Sequence, residues 1–164
     1  MTEPTANQSS QSAEGPLNPQ AVTVAWGLLL LYLVIFFWSA AELNTLALAL
    51  SPIAVIVVVG YPYTKRFTWT SHFVLGWADG IAPAGGWIAV TGYLSWEPVL
   101  MAFAVATWIG GFDILYAIND LEVDIKQNIY SIPAKFGIKK SLNISRVCHA
   151  ISVAMLFLAG IVLE

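Results

Sequence analysis

The run "GFDILYAINDLEVDIKQN", from residue 111, gathers the acids Asp113, Asp120, Glu122 and Asp124. The acids follow "EPVLMAFAVATWIGGF", which has no charge after Glu97. Asp113, Asp120 and Asp124 recur at helical spacing, so a helix through them lines one face with acids, together with Tyr116 or Ala117. Asp120 and Asp124 lie one turn apart and repel unless something neutralises them. A divalent cation does this. Mg²⁺ takes carboxylate oxygens, keeps several waters and commonly bridges one or two carboxylates to a substrate phosphate. A diphosphate is then held between metal and cations, and Lys65 and Arg66 in "YPYTKRFTW" are available. The competing reading is a set of ordinary interfacial acids, solvated where a helix leaves lipid. Two features favour chemistry: the shared face, and the position of Asp113 at the edge of the apolar stretch, where carboxylates are costly.

The elements that must position these residues follow from composition. The chain has 164 residues, 58% hydrophobic and 10% charged. A soluble domain carries about a quarter charged residues, so most of the surface must face lipid. A formal net charge of -3 argues against a nucleic-acid partner. The single cysteine, Cys148, excludes an intrachain disulfide and a Cys-rich metal site. Residues 1–20 are polar, Ser/Gln/Pro-rich and free of Lys and Arg, which reads as a disordered tail and not a signal peptide.

About 20 apolar residues of helix cross a bilayer core. Five stretches qualify: 21–38, 44–61, 71–91, 98–118 and 142–162. The second contains Pro52, and the third contains "GIAPAGGW", where Pro83 and the glycines invite a kink and close helix approach. The predicted class is an all-α, polytopic bundle of about five spans. With five spans, all 7 basic residues fall on one side of the membrane. The positive-inside rule makes that side cytoplasmic, and puts the N-terminal tail there too. Trp38, Trp69, Trp87 and Trp96 sit near span ends as interfacial anchors. His72 and His149 read as interfacial residues at span ends. Asp79, inside the third span, reads either as a neutral acid bonded to a neighbouring helix or as a cavity acid orienting a substrate.

"DILYAINDLEVDIKQNIYSIPAKFG" resembles the second Asp-rich motif of the UbiA superfamily of intramembrane aromatic prenyltransferases. The pattern D-x-x-Y-A-x-x-D-x-x-x-D, with a following Ser-x-Pro and Phe-Gly, is met by Asp113, Tyr116, Ala117, Asp120, Asp124, Ser131, Pro133, Phe136 and Gly137. "YPYTKRFTWTSHFVLG" is similar to the family's Y-x-Y-T-K-R-F-T-W segment, and "APAGGWIAVTG" to its fifth helix. The resemblance covers most of residues 21–160, with residues 21–164 as a partial UbiA-like domain matching the third to seventh of nine helices. It implies Mg²⁺-dependent transfer of a polyprenyl group from a prenyl diphosphate to a 4-hydroxybenzoate-like aromatic acceptor in quinone synthesis. It assigns Asp120 and Asp124 to metal and diphosphate, with Asp113 as a supporting acid. Lys65, Arg66 and Lys126 become diphosphate contacts, and Tyr63 and Tyr116 line the mouth. The implied location is the bacterial inner membrane, with the Asp-rich segment cytoplasmic.

The family's first Asp-rich motif, of the type N-D-x-x-D-x-x-x-D, has no counterpart in residues 1–20. The expectation is therefore a fragment. The other readings are a split enzyme, completed by a second chain supplying the remaining helices, and an inactive relative. Two further classes compete. A CDP-alcohol phosphotransferase needs "DG" and "AR" elements that Gly111 to Asp124 lacks. A small transporter or non-catalytic membrane subunit would use Asp79 and Asp113 as relay acids and leave Asp120, Asp124, Lys65 and Arg66 idle.

Overall fold

Long apolar runs, broken at Asn44 and by the polar or glycine-containing segments 65–70, 92–95 and 120–137, set the helix boundaries of this protein. The computed structural model describes residues 18–163. The helices are α1 (Pro19–Leu43), α2 (Thr45–Thr64), α3 (Ser71–Thr91), α4 (Trp96–Asn119), α5 (Leu121–Lys126), α6 (Ile132–Phe136) and α7 (Ile138–Leu163). Among the described residues there is no strand. Five helices, α1 to α4 and α7, are long and apolar enough to cross a membrane. These are the five expected spans, and α3 has the expected limits. The helix α1 begins at Pro19, so the last residues assigned to the polar tail are helical; residues 1–17 of that tail lie outside the described residues. α1 also runs on to Leu43 and absorbs the segment expected to be a loop. Pro83 does not interrupt α3, and Pro52 does not interrupt α2.

The chain divides after Trp38. The first unit is most of α1, whose large apolar side chains are exposed along its length. The second unit holds α2 to α7. In it, α4 packs against α3 on one flank and α7 on the other, and α2 packs against α3. The four long helices thus form a row, α2–α3–α4–α7.

Small residues bring the row together, as expected where lipid removes the hydrophobic drive for helix association. A Cβ at Gly76 would collide with the Ala106 carbonyl, and one at Gly80 would stand 2.7 Å from the Ala102 oxygen. Ala102, Ala106 and Gly110 repeat every fourth residue on the facing side of α4, and all are buried. On the other flank, Gly111 meets Ser145 and Cys148; a Cβ there would be 2.9 Å from the Cys148 Cβ. Ser141, Ser145, Cys148, Ser152 and Ala159 form the buried stripe of α7. Two of its hydroxyls donate across the interface: Ser145 to the Gly111 carbonyl at 2.8 Å and Ser152 to the Ala104 carbonyl at 2.7 Å.

Contacts at the two ends of the row keep its connections apart. Asn44 caps α2 by accepting from the Ala47 N–H, and its amide donates to the Ile88 carbonyl at 2.7 Å. This pins the start of α2 to the last turn of α3, next to the left-handed Gly92 that ends that helix. At the opposite end, the α2–α3 loop meets the segment between α4 and α7. Trp69 packs edge-on against Phe136 at 5.2 Å, and the Lys135 ammonium lies 4.3 Å over the Trp69 ring.

Candidate functional site

The polar machinery gathers at this second end, on four segments. Lys65 and Arg66 follow the last turn of α2. His72 is the second residue of α3. Asp113 lies within α4. Residues 120–132 carry the other acids and turn the chain back. Residue-by-residue chemistry explains the shape of that last segment. α4 ends at Asn119, where "NDLEVD" replaces the apolar run, and Asp120 joins α4 to α5. α5 lasts six residues. Asn128 then adopts φ 53, a left-handed conformation that Asn tolerates better than most residues. The Ile129 N–H closes the turn on the Asp124 carbonyl at 2.9 Å. Ser131 caps α6 through the Ala134 N–H, with Pro133 in the first turn.

Asp113 is half-buried, and it is occupied. Its Oδ2 lies 2.7 Å from His72 Nδ1 and 3.9 Å from Lys65 Nζ. The His72 ring is completely buried. Its Nε2 accepts the Ile132 backbone N–H at 3.2 Å. A backbone amide can only donate, so Nε2 carries no proton, and Nδ1 of the neutral ring donates to Asp113. The expectation that His72 is an interfacial residue is therefore corrected: it is the most enclosed polar side chain of the site. His149 is corrected as well. It lies within α7, edge-on to Trp108 of α4 at 5.1 Å, and 3.4 Å from the Ser145 hydroxyl.

Asp120 and Asp124 are a different kind of acid. The Asp124 N–H bonds to the Asp120 carbonyl at 2.9 Å, which sets the two one helical turn apart as the spacing predicts. The helix is interrupted at Asp120, so Asp113 lies on α4 and Asp124 on α5. Asp120 is exposed and Asp124 half-buried. Neither side chain has a hydrogen bond or ion pair among the described residues. All their carboxylate lone pairs are thus free. Two unpartnered hard oxygen ligands at one turn suit a divalent cation that fills its other positions with water and phosphate oxygens. Among the described residues no group of three or more His, Cys, Asp or Glu converges.

The remaining site residues line the same end. Arg66 lies 6.0 Å over the Tyr63 ring, and both are exposed. Tyr116 is exposed and packs edge-on against Phe112 at 4.9 Å. Lys126 is exposed, with no ion pair among the described residues. The structure thus brings Lys65 to Asp113 and leaves Arg66, Lys126, Asp120 and Asp124 open to solvent or ligand. Asp79 is exposed on α3, away from any hydrogen bond among the described residues. His72 is the residue that sequence reasoning missed. Its partners are 41 and 60 residues away, and no local spacing signals them.

The model of the UbiA prenyltransferase family matches residues 11–164. The chain belongs to the UbiA prenyltransferase family. It is similar to a 4-hydroxybenzoate octaprenyltransferase of Vibrio campbellii, 32% identical over 92% of this chain and 53% of the relative. It is also similar to a mitochondrial 4-hydroxybenzoate polyprenyltransferase of Dictyostelium discoideum, 34% identical over 74% of this chain and 26% of the relative. Among solved structures, the apo structure of a UbiA homolog from Aeropyrum pernix K1 matches with a TM-score of 0.74 and 35% identity. That match covers 85% of this chain and 57% of the other. The chain thus spans about a quarter to a half of the length of these curated relatives. Family membership and the five apolar spans together make it an integral membrane protein of UbiA fold.

Proposed function

We propose that this chain takes part in transferring a polyprenyl group from a prenyl diphosphate to a 4-hydroxybenzoate-like aromatic acceptor, a step of quinone biosynthesis. The observation that carries the proposal is the pairing of opposite charges at one end of the helix row. Two unpartnered carboxylates, Asp120 and Asp124, sit on the same return segment whose Tyr130 N–H bonds to the Lys65 carbonyl. The names of the relatives supply the substrate classes.

Asp120 and Asp124 would hold a divalent cation, with Mg²⁺ the ion such carboxylates favour. When bound, the ion offsets negative charge growing on the leaving diphosphate. Arg66 and Lys65 donate charge-assisted hydrogen bonds to phosphate oxygens, and the Arg66 guanidinium, 6.0 Å from the Tyr63 ring, suits a bidentate contact. Lys126 adds a third cation. Tyr63 and Tyr116 are exposed rings at the mouth, able to stabilise a cationic allyl group by their faces. The apolar spans provide a lipid-continuous path for the polyprenyl tail. In this reading the end that carries the basic residues faces the cytoplasm, as the positive-inside rule favours, with the N-terminus on the same side and the bacterial inner membrane as the location. The relatives are about twice as long or more. In this proposal further helices, a second chain being one source, bring the second carboxylate cluster that completes the diphosphate clamp.

The test uses the full chain in lipid nanodiscs. Geranyl diphosphate is titrated with Mg²⁺ and again with EDTA, and 4-hydroxybenzoate is then added and prenylated product sought by mass spectrometry. Binding that requires Mg²⁺ supports the diphosphate site, and product supports transfer. Absence of Mg²⁺-dependent binding overturns the reading.

A further inference from the structure

His72 has a purpose that family likeness and charge pattern do not assign. We propose that His72 is a positioning residue, which fixes Lys65 for diphosphate binding by locking Asp113 and the return segment into one arrangement. The inference rests on the diphosphate reading above.

The geometry leaves the imidazole no freedom. The ring is wholly enclosed, and both nitrogens are used. The Ile132 N–H dictates which nitrogen is protonated. The other nitrogen must then donate to Asp113, whose same oxygen, Oδ2, faces the Lys65 ammonium. A relay of fixed polarity runs from the backbone of the return segment, through His72 and Asp113, to Lys65. The backbone closes the loop a second time, since the Tyr130 N–H donates to the Lys65 carbonyl at 2.9 Å. Lys65 is therefore gripped at its main chain and steered at its side chain.

The fold is built to bring His72 this close. Gly110, one turn before Asp113, faces the His72 backbone, and a Cβ there would be 3.3 Å from the His72 carbonyl oxygen. The helices α3 and α4 therefore touch at the level of the ring. Lysine alone is a poor fixed ligand, because its ammonium is a point charge on a flexible stem. At 3.9 Å from Asp113 and 40% exposed, it is steered and still accessible to phosphate oxygens. A carboxylate without the His72 donor could rotate toward solvent or bind Lys65 too tightly to release it.

A purely structural histidine predicts different behaviour from a positioning one, and a variant set separates them. The full chain in nanodiscs is compared as wild type, His72→Leu, His72→Asn, Lys65→Gln and the His72→Leu/Lys65→Gln double variant. Geranyl diphosphate affinity is measured with Mg²⁺, and amide hydrogen exchange is followed over residues 127–132 and over α7. The Asn side chain keeps a donor near the place of Nδ1, while Leu keeps none. The expected result has four parts. His72→Leu weakens binding on the order of tenfold, as loss of a hydrogen bond to a charged group does. His72→Asn recovers most of that loss. His72→Leu costs nothing further in the Lys65→Gln background, because its effect runs through Lys65. Exchange rises in 127–132 while α7 stays protected. Equal losses for Asn and Leu, or a full His72→Leu penalty on top of Lys65→Gln, overturn the positioning role. If α7 protection collapses in His72→Leu, the Asn variant carries the comparison, and weak binding there with α7 intact overturns it too. Wild-type protein that does not bind geranyl diphosphate overturns the diphosphate reading itself, an outcome distinct from additive variants in a protein that binds.

Discussion

The Tyr130 backbone N–H donates to the Lys65 carbonyl at 2.9 Å. That bond joins the loop after α2 to the return segment after α4, two stretches far apart in the chain. It ties the backbone of Lys65 to the segment that also carries Asp120 and Asp124. Trp69 against Phe136, with Lys135 over the indole, reinforces the same junction from the apolar side.

The free acids give the most direct prediction. Asp120→Asn and Asp124→Asn should each weaken Mg²⁺-dependent geranyl diphosphate binding by at least about tenfold, since each removes one of two charged ligands. Thermal stability should stay within about 0.5 kcal/mol of wild type, because neither side chain has a partner to lose. Isothermal titration and a melting curve on the same preparations check both halves. Wild-type affinity in either variant would remove that acid from the site.

Much of this architecture is legible in the amino-acid sequence. Five apolar spans, the segregation of the basic residues, and the turn between Asp120 and Asp124 all follow from local spacing, which is a property of the chain itself. The break of α4 at Asp120 is hidden there, because the acids continue at helical intervals through it. The row order α2–α3–α4–α7 is hidden because it depends on where small residues meet, and glycines such as Gly27, Gly85 and Gly86 look no different in sequence from Gly76. His72 is hidden for the opposite reason: a histidine beside an apolar span resembles an interfacial one until its distant partners are known.

The glycines therefore make a second test. At Gly76 an added Cβ has no room, because it would strike a backbone carbonyl, which cannot swing away as a side chain tip can. Gly76→Ala should force α3 and α4 apart at a cost of about 1–3 kcal/mol. Gly86 is exposed, with nothing within 4 Å of an added Cβ. Gly86→Ala should be neutral, or stabilising by about 0.5–1 kcal/mol through helix propensity. Tryptophan-fluorescence melts in one detergent would read both. Equal effects at the two sites would contradict the observed α3–α4 approach.

The serine stripe of α7 makes a smaller prediction. Ser152→Ala removes a buried 2.7 Å bond to the Ala104 carbonyl, and Ser145→Ala one of 2.8 Å to Gly111. Interhelical bonds of this kind average about 0.6 kcal/mol in a membrane protein, because the carbonyls also serve their own helix. Each single variant should melt only slightly earlier. The pair should lose roughly the sum, since the sites lie two turns apart along α7. A loss of several kcal/mol from one serine would mean that α7 is held to α4 by these bonds and not by close packing.

Arg66 and Lys65 should separate by role. Lys65 is paired with Asp113, whereas Arg66 has no ion pair among the described residues and lies 6.0 Å from the Tyr63 ring. Arg66→Lys keeps the charge and loses the planar, bidentate donor. It should weaken geranyl diphosphate binding several-fold, short of the on-the-order-of-tenfold loss expected for Arg66→Gln. Lys65→Gln should do two things: weaken binding, and leave Asp113 with His72 as its partner, so that its own destabilisation stays within about 1 kcal/mol. Affinity and melting temperature, measured together, distinguish the residues. Arg66→Lys with full affinity would show that charge alone suffices there, and would shift the bidentate contact to another side chain.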